Sequence, residues 1–100
     1  MNILLCCSGG FSTSLVVSKM KEAAKQKGVD CRIWAAGEKD IDENLPKADI
    51  VMLAPQIAYR AGDFELRCRQ ADKKFVMIGQ LDYGRCNGEN ILTQALEALS

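Results

Sequence analysis

Four short runs that are apolar or nearly so, Ile3 to Cys7, Cys31 to Ala36, Ile50 to Ala54 and Phe75 to Ile78, alternate with longer polar stretches of helical periodicity. A continuous apolar run too short for a buried helix is the mark of a strand covered on both faces. Strands that alternate with helices pair in parallel, with right-handed crossovers placing helices on both sides of the sheet. After the first run, Leu15, Val16, Met20, Ala23 and Ala24 recur at helical spacing, with Lys19, Lys21, Glu22 and Lys25 on the other side; Lys27-Gly28 closes this helix. The polar stretch from Gly37 to Lys47 has room for one short helical turn. Pro55 ends the third strand and suits the first position of a helix spanning Gln56 to Asp72. Ala61-Gly62-Asp63 predicts a break in it and a restart at Asp63. The segment Asp82 to Gly88 reads as a loop. Glu89 to Leu99 forms a last helix with Ile91, Leu92, Ala95, Leu96 and Leu99 on one face.

One hundred residues, 48% of them hydrophobic, predict one soluble domain over 1–100. Thirteen basic residues balance thirteen acidic ones, leaving no field with which to collect nucleic-acid phosphates. The chain has no histidine, which excludes a Ser-His-Asp triad, a Cys-His dyad and a histidine metal ligand. Its five cysteines, Cys6, Cys7, Cys31, Cys68 and Cys86, are odd in number and contain no CxxC pair, so neither a disulfide framework nor a zinc ribbon is expected. Free thiols predict the reducing cytoplasm. No stretch approaches the roughly 20 apolar residues of a membrane span, and no metal or cofactor is expected.

In parallel sheets ligands collect beyond the carboxyl ends of the strands. The first run, the most apolar and the candidate central strand, ends in Cys7-Ser8-Gly9-Gly10-Phe11-Ser12-Thr13-Ser14. Gly9 and Gly10 permit backbone geometries that turn successive N–H groups inward, and such a nest beside a helix N-terminus holds a tetrahedral oxyanion. Ser12 suits the N-cap, with Thr13 and Ser14 adding hydroxyl donors. The same field favours the thiolate of Cys7. Two readings stand at this point: a nucleophilic cysteine in a phosphate cradle, or a small buried strand residue followed by a turn. The cradle resembles the Cys-x5-Arg loop of protein tyrosine phosphatases, but the sixth position after Cys7 is Thr13. Without the guanidinium fork, the loop suits a carrier that keeps its phosphoryl group better than a hydrolase.

The segment Leu4 to Val17 resembles the active-site loop of the enzyme IIB components of the bacterial sugar phosphotransferase system, lactose/cellobiose (chitobiose) family. Ala54-Pro55-Gln56-Ile57 and Asp82-Tyr83-Gly84-Arg85-Cys86-Asn87-Gly88 extend the likeness over the full length. The resemblance implies that Cys7 accepts a phosphoryl group from a histidine of enzyme IIA. It then passes the group to a sugar of β-glucoside, cellobiose, chitobiose or lactose type bound by membrane enzyme IIC. The donor histidine lies on another chain, which makes sense of its absence here. Ala54 stands where the family usually has Gly, and Gly79 where it often has an acidic residue.

Strand alternation turns Cys6 away from Cys7, which favours a structural role. Cys31, Cys68 and Cys86 are expected to be packing or surface residues, with Cys86 the most accessible. Gln56 and Tyr83 fall on the Cys7 side of the sheet, as contacts either for the phosphoryl loop or for the partner. Arg60, Arg67 and Arg69 read as a solvated face, Trp34 as core, and Phe11 as a docking anchor. The expected fold is α/β: a four-stranded parallel sheet of order 2-1-3-4, helices on both faces, and a phosphatase-like P-loop after the first strand. The expected function is that of a cytoplasmic phosphoryl carrier. Its rivals are a low-molecular-weight phosphatase-like hydrolase using Cys7 with Asp82 as acid, and a non-catalytic regulatory domain.

Overall fold

A computed structural model describes residues 1–8 and 12–100, with Ser12 and Thr13 described by their backbone alone. Strands β1 (Asn2–Cys7), β2 (Arg32–Gly37), β3 (Ile50–Leu53) and β4 (Lys74–Met77) form one parallel sheet in the order β2-β1-β3-β4. This is the predicted topology, with strand ends displaced by at most one residue.

Alternation along the sheet divides the core into two. Ile3, Leu5 and Cys7 face helices α1 (Ser12–Lys27) and α5 (Gly88–Leu99), packing with Val16, Met20, Ile91 and Leu92. Leu4 and Cys6 face the other side, among Ile41, Leu45, Phe64 and Cys68. Helix α1 carries Lys25 and Lys27 in its last turn and no acidic residue in its first, so no side-chain carboxylate competes at the end where the dipole is positive.

Three segments differ from expectation. The stretch after β2 is nearly continuous helix: a 3-10 turn at Glu38–Asp40, α2 at Ile41–Asn44 and a second 3-10 turn at Leu45–Lys47. Ile41 and Leu45, four residues apart, drive it by burying one face against the sheet. After β3, a 3-10 segment covers Pro55–Arg60 and α3 covers Ala61–Gln70. The break falls at Ile57 (φ −116°, ψ 33°), not at Gly62. Ile57 is drawn into the core, whereas exposed Gly62 costs only helix propensity in a helix anchored by Phe64 and Cys68. The third is the expected loop at Asp82–Gly88, whose first residues belong to α4 (Gln80–Gly84). Gly79 is extended at its N-cap (φ −64°, ψ 144°), and the Tyr83 N–H donates to the Gly79 carbonyl at 3.0 Å. Burying Tyr83 outweighs the turn propensity of Asp-Tyr-Gly.

The arginines are also not a plain solvated face. Arg60 pairs with Glu38 at 3.1 Å and Asp63 at 2.8 Å, Arg67 bridges Asp42 and Asp63, and Arg69, paired with Glu65 at 3.1 Å, is the most exposed of the three. Trp34 is half-buried against the second core, its indole N–H donating to Asn44 Oδ1 at 3.0 Å.

Candidate active site

The carboxyl ends of the strands gather most of the residues singled out in the sequence. Cys7, the last residue of β1, pairs in register with Gly37. It is 4% exposed, and its Sγ lies 4.0 Å from the Ala36 carbonyl oxygen. Ser8 is an exposed bend, and Ser14 is exposed in the first turn of α1. Gly9, Gly10 and Phe11, with the side chains of Ser12 and Thr13, lie outside the described residues, and so does most of the expected phosphate cradle.

Gln56 and Tyr83 come together. With Pro55, Gln80 and Gly84 they line one cleft of about 230 Å³ between the segments that follow β3 and β4. Their settings differ: Gln56 is exposed on the rim, while Tyr83 is buried in the same core as Cys7. Ala54, at the N-cap of the 3-10 segment, is buried and donates its N–H to the Cys6 carbonyl at 2.9 Å, tying this segment to β1. At Gly79 an added Cβ would stand 3.9 Å from Asp82 Oδ2, an ordinary contact, so a side chain fits there. Asp82, the acid that a hydrolase would need, accepts from Asn90 Nδ2 at 3.3 Å. That bond directs its Oδ1 toward α5.

None of the five cysteines is held in a disulfide, and they separate by environment. Burial, then the neighbouring Cys7 and Cys68 thiols, pushes the Cys6 thiol from 9.0 up to about 12, and burial with Glu65 raises Cys68 to about 11. Cys31 and Cys86 are both half-buried, so Cys86 does not stand apart as expected. In the folded chain Cys6 and Cys68 are expected to resist alkylation near neutral pH while Cys31 and Cys86 react; peptide mass mapping reads this directly. The Cys6 pKa is raised on folding, so its contribution to stability is complete below about pH 9 and fades as pH rises toward about 12.

A family model described as "PTS system, Lactose/Cellobiose specific IIB subunit" matches residues 2–94. The chain belongs to this family. It is therefore a IIB component of a sugar phosphotransferase system, a phosphotransferase component. This IIB chain is 37% identical over 97 residues to an oligo-beta-mannoside-specific EIIB component from Bacillus subtilis (strain 168), covering 97% of the chain and 94% of that protein. Its fold matches the solution structure of a cellobiose-specific phosphotransferase IIB component from Borrelia burgdorferi with a TM-score of 0.82 and 36% identity, covering 98% and 90% of the two chains. It is also 32% identical over 82 residues to a lactose-specific EIICB component from Lactococcus lactis subsp. lactis, covering 82% of this chain and 14% of that longer protein. Two features near the site were missed in the sequence: helix α4, which carries Tyr83, and the pairing of Glu38 with Arg60. The Gly79-x-x-Asp82 spacing, an N-cap position followed by an acid three residues on, was the available signal for the first.

Proposed function

We propose that this IIB chain carries a phosphoryl group on Cys7. The observation that supports it most is the position of Cys7: the last residue of the interior strand β1, five residues before Ser12, where α1 begins, in a member of the IIB family. The Cys7 thiolate attacks the phosphorus of a phosphohistidine on enzyme IIA. The S–P bond forms as the P–N bond breaks, and the imidazole leaves with the electron pair. Residues 8 to 13 supply backbone N–H groups, and Ser12, Thr13 and Ser14 hydroxyls, to the three equatorial oxygens in a P-loop. In the second transfer a sugar hydroxyl attacks phosphorus, the S–P bond breaks and the thiolate is restored. The acceptor is bound by membrane enzyme IIC; the EIICB relative, in which a segment like this one forms part of a longer chain, supports that partnership. The sugar is of lactose or cellobiose type, and transfer takes place in the cytoplasm.

The carrier must dock on two partners in turn through the same end of the sheet, which calls for a small apolar rim around Cys7. Leu15, Tyr59, Met77 and Leu81 are exposed at that end, Leu81 by 64%. Leu81→Asp is expected to raise the donor concentration for half-maximal transfer about tenfold. Its melting temperature should stay close to wild type, because the side chain is largely in water already. Incubation with phosphorylated enzyme IIA followed by intact mass measurement tests the carrier reading. An unchanged mass would refute it, and sustained release of phosphate from an aryl phosphate would favour a hydrolase.

A further inference from the structure

We propose that Arg60 is a positioning residue for phosphoryl transfer: clasped to Glu38 across the carboxyl end of β1, it neutralises the carboxylate that follows Cys7's strand partner, so that a dianionic phosphoryl group can settle on Cys7. The inference rests on Cys7 being the acceptor.

The topology makes the clasp. Strand β1 lies between β2 and β3, and Gly37, the last residue of β2, pairs with Cys7. Glu38 follows it directly. Both of its carboxylate oxygens are taken from the far side of β1: Oε1 accepts from Arg60 Nη1 and Oε2 from the Tyr59 hydroxyl, each at 3.1 Å. Arg60 and Tyr59 end the segment that follows β3, so the bridge joins both neighbours of β1 just where Cys7 leaves the sheet. Arg60 is itself fixed, by Asp63 at 2.8 Å and by the buried Phe64 ring, whose centroid lies 5.0 Å from its guanidinium carbon.

Charge gives the clasp its consequence. The turn after β2 holds two carboxylates, Glu38 and Asp40, and Asp40 Oδ2 lies 3.8 Å from where a Cβ on Gly37 would stand. Of the two, Glu38 carries the guanidinium. A phosphoryl group arriving on Cys7 brings further negative charge to this end of the sheet, and a bare Glu38 would oppose it.

Arg60→Met is expected to slow single-turnover uptake at saturating phosphorylated enzyme IIA about fivefold at low salt, with the deficit shrinking toward zero near 1 M salt. Glu38→Gln, which keeps an acceptor for Arg60, should transfer at least as fast as wild type. The double variant Glu38→Gln/Arg60→Met should recover most of the lost rate, although it lacks the same guanidinium and the same packing on Phe64. That recovery separates charge from folding. A wild-type rate in Arg60→Met would overturn the inference. So would a deficit that neither salt nor the second substitution relieves, or one confined to the half-saturating donor concentration, which would make Arg60 a docking residue. If wild type takes up no phosphoryl group, the carrier reading fails and this inference falls with it; if wild type is phosphorylated and the variants match it, only the inference fails.

Discussion

Cys7→Ser is expected to abolish phosphoryl uptake, lowering the single-turnover rate by a factor of about 10⁴ or more. The substitution exchanges one atom, so shape and the backbone around it change little. What changes is the nucleophile: a thiol yields an appreciable fraction of thiolate near neutral pH, whereas a serine hydroxyl needs a base to remove its proton, and this chain has no histidine to serve. The adjacent residue is a built-in control. Cys6 lies on the same strand but faces the opposite core, among Ile41, Phe64 and Cys68. Cys6→Ala should lose about 1–2 kcal/mol of stability through the small cavity it leaves, yet take up phosphoryl groups as wild type does. Intact mass after exposure to phosphorylated enzyme IIA reads both variants. Uptake that survives Cys7→Ser, or disappears in a folded Cys6→Ala, would place the acceptor elsewhere.

That two neighbouring cysteines face opposite cores was legible in the sequence. Parallel pairing follows from four apolar runs separated by helices, and the interior place of β1 from the continuous hydrophobic signature that a strand buried on both faces leaves. Period-two alternation then separates Cys6 from Cys7. Helix α4 was hidden because Asp82 and Gly84 favour turns locally, and the burial of Tyr83 that overrides them is a tertiary effect. The helical stretch after β2 rests on two residues, Ile41 and Leu45, in an otherwise polar segment, too few to establish a period. The Glu38 to Arg60 clasp joins residues 22 apart that meet only because β1 inserts between β2 and β3. Charges on a short helix look solvated until the topology supplies their partners, as it does for Arg60 and Arg67.

The glycine at the start of α5 shows the same dependence on tertiary context, and it carries the largest expected effect on stability. A Cβ on Gly88 would stand 2.4 Å from the backbone carbonyl carbon of Lys19 and 2.5 Å from the Met20 nitrogen. Both belong to the middle of α1, where rotation of a flexible side chain cannot relieve the clash; one helix must move. Helix α1 is held against the sheet by Val16 and Met20, and α5 by Ile91 and Leu92, all fully buried. Separating them would open the core that encloses Cys7. Gly88→Ala is therefore expected to cost about 3 kcal/mol or more, at the upper end for overpacked sites. For a domain of this size that lowers the melting temperature by about 12–24 °C. Gly62→Ala supplies the contrast, since nothing lies within 4 Å of its added Cβ and Gly62 sits exposed inside α3. There the methyl group meets only solvent and restricts the unfolded chain, so a gain of about 0.5–1 kcal/mol is expected. Thermal unfolding of the two variants beside wild type should move in opposite directions. Equal shifts would mean that glycine acts at both sites through helix propensity alone and that the approach of α5 to α1 does not set the stability of the site.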